Sequence, residues 1–140
     1  MKIVLDTKVL LSGLLKPFGP PARVLKVVSG RQVELLVDDR VMLECQDVLT
    51  RSRFHLEQQA VEAVLDFMVC SAHHVAAAAQ PVNLPDPDDL PFLEVAITGT
   101  ADALVTGHAN PFPLSACGGV PVLSPQGFLA AWQRQQARDR

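Results

Sequence analysis

A short run of apolar residues near the start of the chain ends at an aspartate. The segment Ile3-Val4-Leu5 shows no alternation of apolar and polar side chains, which is typical of a strand covered on both faces in a parallel sheet. Asp6 follows directly, and functional sites in open α/β sheets lie outside the carboxyl ends of the strands. We therefore predict a central strand here, with Asp6 at the functional edge of the sheet.

Strand-like and helical segments alternate along the rest of the chain. Further strands are predicted at 33–37, 73–75, 103–106 and 120–123. Apolar residues at helical spacing predict helices at 9–15, 21–28, 41–49, 56–69, 92–97 and 125–132. This alternation predicts an α/β fold, in which helices cover both faces of a parallel sheet.

The chain of 140 residues has the length of one domain. We assign residues 1–133 to this domain and expect the polar tail at 134–140 to fray. No apolar run approaches the roughly 18 residues that span a bilayer. The apolar start of the chain also reaches Asp6 too early for a secretory signal. A cytoplasmic protein with no membrane association is therefore expected.

The net charge of −3 is not typical of a nucleic-acid-binding domain. If the protein handles a polyanion, bound metal ions or a local basic patch must offset its own acids. Arg51 and Arg53 form one candidate patch. The arginines of the C-terminal tail form another, which we interpret as solvated surface.

Three aspartates precede the fifth predicted helix. One of Asp86, Asp88 and Asp89 can cap the helix, and the others can interact favourably with its dipole. Capping uses only one carboxylate, however, and three of them crowd like charge into four positions. This crowding predicts a nearby positive charge, either a lysine or a divalent cation.

Acidic residues from separate parts of the chain can meet at one edge of such a sheet. Asp6 ends a strand, Glu44 lies at the flank of the third helix, and Asp89 starts the fifth. Carboxylates gathered in this way suit Mg²⁺ or Mn²⁺, which can activate water against a phosphodiester. No Gly-rich dinucleotide or P-loop motif is present, so those functions lack support.

The order and spacing of several motifs match one family over nearly the whole chain. The motifs are Val4-Leu5-Asp6-Thr7, Gly19-Pro20-Pro21-Ala22, Glu44, Asp86-Pro87-Asp88-Asp89, Leu104-Val105-Thr106-Gly107 and Val120-Pro121-Val122-Leu123-Ser124-Pro125. With these motifs the chain resembles the PIN domain family, in particular its bacterial toxin–antitoxin branch. The resemblance implies a three-layer α/β/α sandwich with a parallel sheet of about four to five strands. It also implies an endoribonuclease that depends on Mg²⁺ or Mn²⁺.

The resemblance implies roles for particular residues. Asp6, Glu44 and Asp89 match three acids of the family and are expected to hold metal, with Glu44 orienting water or a second ion. Asp86 and Asp88 are neighbouring alternatives, and Thr106 matches a threonine that precedes a fourth acid. The implied partners are an RNA substrate, an antitoxin protein and a second copy of the chain in a homodimer.

Two positions depart from the family pattern. Lys8 stands where the family usually has asparagine, and His108 stands where it usually has the fourth acid. These changes leave two hypotheses. In the first, the protein is a metal-dependent ribonuclease in which His108 assists as ligand or proton shuttle. In the second, it is a catalytically impaired PIN-fold binding or assembly module with a degenerate metal site. Asp102 precedes its strand, so we place it at the opposite end of the sheet and exclude it as a replacement acid.

Overall fold

The structure is a computed structural model that describes residues 1–107 and 117–139. It is a three-layer α/β/α sandwich, as predicted. The five strands of this described part of the chain are all parallel and lie in the order β3-β2-β1-β4-β5. Their bounds are β1 Lys2–Leu5, β2 Glu34–Val37, β3 His73–His74, β4 Ala103–Val105 and β5 Val122–Leu123.

The first strand occupies the centre of the sheet. β1 pairs with β2 on one side, through Ile3 opposite Leu35, and with β4 on the other, through Val4 opposite Leu104. Ile3 and Val4 point to opposite faces of the sheet, and both are completely buried. Helices therefore cover both faces at this strand, as its unbroken apolar run predicted.

Within residues 1–107 and 117–139, six α-helices connect and cover the strands. They are α1 Thr7–Leu15, α2 Pro20–Ser29, α3 Asp39–Leu49, α4 Gln58–Ser71, α5 Leu90–Thr98 and α6 Pro125–Arg138. Short 3₁₀ turns lie at Ser52–Phe54 and Pro87–Asp89. Among the described residues, no helix has both the length and the apolar character needed to span a membrane.

Side-chain caps account for several helix starts. Asp38 accepts a hydrogen bond from the backbone N–H of Val41 at 2.9 Å, and Ser124 accepts one from that of Gly127 at 3.0 Å. Asp86 caps the 3₁₀ turn that precedes α5, accepting from the N–H of Asp88 at 3.0 Å. The side chain of Asp89 makes no capping hydrogen bond, so helix capping does not account for its carboxylate.

Helices α4 and α6 differ most from their predicted bounds. Helix α4 begins at Gln58 rather than at Leu56, since the 3₁₀ turn and the residues after it occupy the preceding segment. Helix α6 continues beyond Gln133 to Arg138, where we expected fraying. No proline or glycine interrupts it after Gly127, and Arg138 in its last turn interacts favourably with the helix dipole.

A network of charged side chains joins α3 to α5. Nη1 of Arg40 lies 2.7 Å from Oε1 of Glu94, and its Nη2 lies 2.8 Å from Oδ2 of Asp38. The side chain of Glu94 is only 4% exposed, and its second oxygen accepts a hydrogen bond from the backbone N–H of Gln80. Arg40 thus compensates a buried carboxylate. These contacts fix α3, which carries Glu44, relative to α5, which Asp89 precedes.

The substitution Arg40→Ala is expected to lower the free energy of unfolding by about 2–3 kcal/mol, because it leaves Glu94 buried without its cation. Chemical denaturation measures this change. The double substitution Arg40→Met with Glu94→Gln is the matched control. It should recover most of the loss, because an uncharged amide still accepts from Gln80. Equal stability of Arg40→Ala and the unsubstituted protein would show that the network contributes nothing.

Candidate metal centre

Asp6 lies at the carboxyl end of β1 with its side chain almost fully buried. Its backbone N–H donates to the carbonyl of Val105, which extends the pairing with β4 by one residue. Its carboxylate accepts from the hydroxyl of Thr106 at 2.9 Å and from the backbone N–H of Lys8 at 3.3 Å. The same carboxylate therefore caps α1 and bridges two neighbouring strands, so its position is firmly defined.

Glu44 reaches the same edge of the sheet from α3. Its Oε2 accepts a hydrogen bond from the hydroxyl of Thr7 at 3.1 Å. Thr7 is the first residue of α1 and is buried, with its hydroxyl also 3.6 Å from the sulfur of Cys45. Thr7 therefore holds a half-buried glutamate beside Asp6. The sequence pattern alone does not predict this role, although the Asp6 cap places Thr7 in the first turn of α1.

All five predicted acids line one cavity of about 250 Å³, which we call the acidic cavity. Asp6 and Glu44 come from β1 and α3, and the remaining three come from the turn before α5. The other lining residues are Thr7, Lys8, Leu11, Val48, Arg51, Arg53 and Phe54. The structure thus brings the predicted carboxylates together, and it adds two arginines of the predicted basic patch.

Burial raises the pKa of Glu44 above its usual value. The hydrogen bond from Thr7 acts in the opposite direction, and the charges of Asp6, Asp88 and Asp89 add to the increase. The pKa of Asp89 is raised for the same leading reason, with Asp6 and Asp86 contributing. Lys8 lowers the pKa of Asp89. Both carboxylates are therefore in an environment with an excess of negative charge.

The donor set of the acidic cavity fits a hydrated hard cation. Within residues 1–107 and 117–139, no group of three or more His, Cys, Asp or Glu side chains is arranged to hold a metal ion directly. Mg²⁺ does not need such a group, since it commonly binds through one or two carboxylates and keeps several waters. The available donors are all carboxylate and hydroxyl oxygens, which favour Mg²⁺ or Mn²⁺ over softer ions.

Of the two residues that depart from the family pattern, the structure describes only Lys8. Lys8 is exposed at the mouth of the acidic cavity. It forms no ion pair within 4.0 Å with any described carboxylate, so it does not neutralise Asp6 or Asp89 by direct contact. Its charge acts on Asp89 across the cavity instead. His108 lies outside the described residues.

Asp102 lies at the opposite end of the sheet, as predicted. Its Oδ2 accepts from the backbone N–H of Lys2 at 2.7 Å, at the amino end of β1. Asp6 stands at the other end of the same strand, so Asp102 cannot contribute to the acidic cavity.

Replacing Glu44 or Asp89 with its amide is expected to raise the melting temperature of the metal-free protein at neutral pH by about 1–3 °C. A carboxyl with a raised pKa stabilises the fold when protonated, and this stabilisation is lost as pH rises through that pKa. Glu44→Gln keeps the neutral state at every pH and still accepts from Thr7. Calorimetry in a chelator should show the increase at neutral pH and its disappearance as the pH falls below about 4, the usual pKa of these side chains. The exposed Asp66→Asn on α4 is the control.

Mg²⁺ or Mn²⁺ is expected to raise the melting temperature of the unsubstituted protein. At ten times the dissociation constant, binding to the native state contributes about 1.4 kcal/mol, which corresponds to several degrees. Asp6→Asn removes a carboxylate that lines the cavity and should abolish the increase, whereas Asp66→Asn should keep it. An equal increase for Asp6→Asn would place the ion elsewhere.

Comparison with known proteins bears on the family and the fold. A family model for the PIN domain matches residues 2–109. Among solved structures, the chain is similar to VapBC2 from Rickettsia felis, crystallised bound to a DNA fragment from its promoter. That match has a TM-score of 0.60 at 14% identity, and it covers 89% of this chain and 98% of the other. No curated protein matches the chain. Since the family model spans most of the sequence, the chain belongs to the PIN domain family.

Proposed function

We propose that the protein is a divalent-metal-dependent endoribonuclease that hydrolyses RNA phosphodiester bonds. The observation that carries this proposal is the acidic cavity, where five carboxylates and two arginines line one space at the carboxyl edge of the sheet. Membership of the PIN family supports the reaction class. The combination fits a phosphodiester substrate, because the arginines can bind phosphate oxygens while the acids supply metal ligands.

Asp6 and Asp89 are the residues proposed to hold the metal. Asp6 is fixed by Thr106 and by the start of α1, so little ordering is needed for binding. The side chain of Asp89 makes no capping hydrogen bond, and the pKa of its carboxyl is raised. A nearby cation would lower that pKa. Mg²⁺ or Mn²⁺, when bound, supplies a Lewis acid that polarises the phosphodiester and stabilises the leaving oxygen.

Glu44 is proposed to orient the attacking water and accept its proton. Burial and neighbouring acids raise the pKa of its carboxyl, which makes its carboxylate a better base than an exposed glutamate. The hydrogen bond from Thr7 leaves the other oxygen of Glu44 for water. Thr7 would then act by positioning the carboxylate rather than by touching the substrate. Asp86 and Asp88 line the same cavity and would add to its negative field. His108 is proposed to assist as a ligand or proton shuttle.

The biological setting is proposed from the structural neighbour. The neighbouring structure is a VapBC2 assembly from Rickettsia felis bound to DNA from its promoter. We propose that this chain is likewise the toxin of a toxin–antitoxin pair, with an antitoxin partner, a homodimeric state and a cytoplasmic location. Light scattering of the chain alone, and of the chain expressed with the product of the neighbouring reading frame, tests the dimer and the complex.

Lys8 supports a second candidate function, a catalytically impaired binding or assembly module. Its ammonium lines the acidic cavity and favours the ionised form of Asp89 without a metal. It could therefore take over part of the role of a cation. In this alternative the fold and the cavity are kept, and hydrolysis is lost.

A ribonuclease assay with Mg²⁺ or Mn²⁺ separates the two functions. We expect the unsubstituted protein to cleave RNA and Asp6→Asn to lose more than about 100-fold in rate, the upper range for residues that only support a ligand. Thr7→Val should lose about 10-fold if Thr7 positions Glu44.

The double substitution Lys8→Asn with His108→Asp restores the usual family residues. Activity that appears only in this double variant would establish the impaired module. If neither protein cleaves RNA, the nuclease proposal fails. Asp66→Asn again controls for a general effect of removing a carboxylate.

A further inference from the structure

A second cavity lies beside the acidic cavity, and we call it the side cavity. Its volume is about 560 Å³, within the range of about 300–1,000 Å³ that is usual for ligand sites. It is formed by the end of α3, the 3₁₀ turn that follows and the start of α4. Its lining residues are Gln46, Leu49, Thr50, Arg51, Ser52, His55, Leu56, Gln58, Val61, Glu62 and Leu65.

Arg51 belongs to both cavities. It stands in the segment 51–55, which we call the basic turn and which reads Arg-Ser-Arg-Phe-His. Arg53 and Phe54 line the acidic cavity, whereas Ser52 and His55 line the side cavity. The basic turn is therefore the wall that the two cavities share, and a chain molecule passing between them would cross Arg51.

The arginines of the basic turn can bind a phosphate of a chain molecule that passes from one cavity to the other. Nη2 of Arg51 donates to Asp47 at 2.8 Å, an ion pair between two exposed side chains that is weak in water. A guanidinium has five N–H donors, so Arg51 keeps several for a phosphate while Asp47 orients it. The guanidinium of Arg53 lies 4.8 Å from the ring centre of Phe54, which restrains it at the edge of the acidic cavity.

The side cavity has the chemistry of a nucleobase site. Its apolar floor is formed by Leu56 and Leu65, whose side chains are only partly buried. Its rim carries amides and a carboxylate, and the amide of Gln58 donates to Glu62 at 3.0 Å. An apolar floor can contact the face of a base, while amide and carboxylate groups can hydrogen-bond its edge. The imidazole of His55 offers a surface for stacking.

The backbone holds His55 in place at the end of the basic turn. Its φ of 50° lies in the left-handed region, and its N–H donates to the carbonyl of Ser52 at 3.1 Å. Histidine and asparagine adopt this conformation more readily than most residues. His55→Asn therefore removes the ring while keeping a residue that the backbone accepts, so it is a suitable test substitution.

We propose that the side cavity binds a nucleotide of single-stranded RNA whose neighbouring phosphate lies at the acidic cavity, with Arg51 as the phosphate contact common to both. This inference rests on the proposed function, since it names the substrate form and the site beside the cleaved bond. Single-stranded RNA is favoured over duplex because a base can enter a cavity only when it is unpaired. Duplex RNA is instead bound by shape over an extended surface.

Fluorescence anisotropy with a labelled six-nucleotide single-stranded RNA tests the inference. The full chain is used in a chelator, so binding is measured without cleavage. Arg51→Gln is expected to weaken binding about tenfold and to reduce the salt slope by about 0.7, the value for one phosphate contact. His55→Asn should weaken binding about threefold with an unchanged slope, as expected for a lost stacking contact. Arg23→Gln on α2, which lines neither cavity, is the control and should match the unsubstituted protein.

Photocrosslinking locates the bound RNA on the protein independently of the anisotropy measurements. The same RNA carrying 4-thiouridine should crosslink on irradiation to peptides within residues 46–65, and annealing its complement should abolish this. Unchanged binding for both variants, crosslinks confined to other segments, or equal binding of the duplex would overturn the inference. If the protein cleaves RNA but the expected anisotropy and crosslinking results are not obtained, the proposed function is kept and the role of the side cavity is rejected. If the results hold but no cleavage occurs, the side cavity belongs to an RNA-binding module.

Discussion

The pairing of β1 with both β2 and β4 is the constraint on which the rest of the structure depends. This strand is buried on both faces, and its last residue leads directly into Asp6. The neighbouring strand β4 leads in the same way into Thr106, so parallel pairing brings the two side chains within 2.9 Å. Because the strands are parallel, their carboxyl ends meet at one edge, and the helices that start there bring further polar groups to the same place.

Buried and half-buried carboxylates are compensated differently in two parts of the structure. Glu94 is buried next to Arg40, so its carboxylate is fully compensated and serves the packing of α5 against α3. Glu44 and Asp89 are half-buried among other acids, and burial and repulsion raise their pKa values. Carboxylates that the fold leaves without a close cation are typical of functional sites, because a ligand supplies the missing charge. Arg51 and Arg53 of the basic turn line the same cavity and add positive charge there.

The pattern of apolar residues predicted most of the architecture because burial leaves a strong signal in sequence. Every strand and α-helix in the described part of the chain overlaps a predicted one, and β1 lies at the centre of the sheet as predicted. The misses have local causes. The segment before α4 forms a 3₁₀ turn with a left-handed residue at His55, which apolar spacing does not reveal. The polar end of α6 is helical because no proline or glycine interrupts this helix after Gly127, and a helix can continue without an apolar face.

The sequence by itself determined the fold class, the family and the position of Asp6, since each depends on local patterns or on motifs of fixed spacing. It also identified Glu44, Asp89 and the basic patch as candidates. Only the tertiary structure decided that these acids share one cavity with Arg51 and Arg53, that Thr7 holds Glu44, and that Arg40 compensates Glu94. Such contacts join residues far apart in the chain. They depend on how helices pack across the sheet, and a local pattern carries no information on that packing.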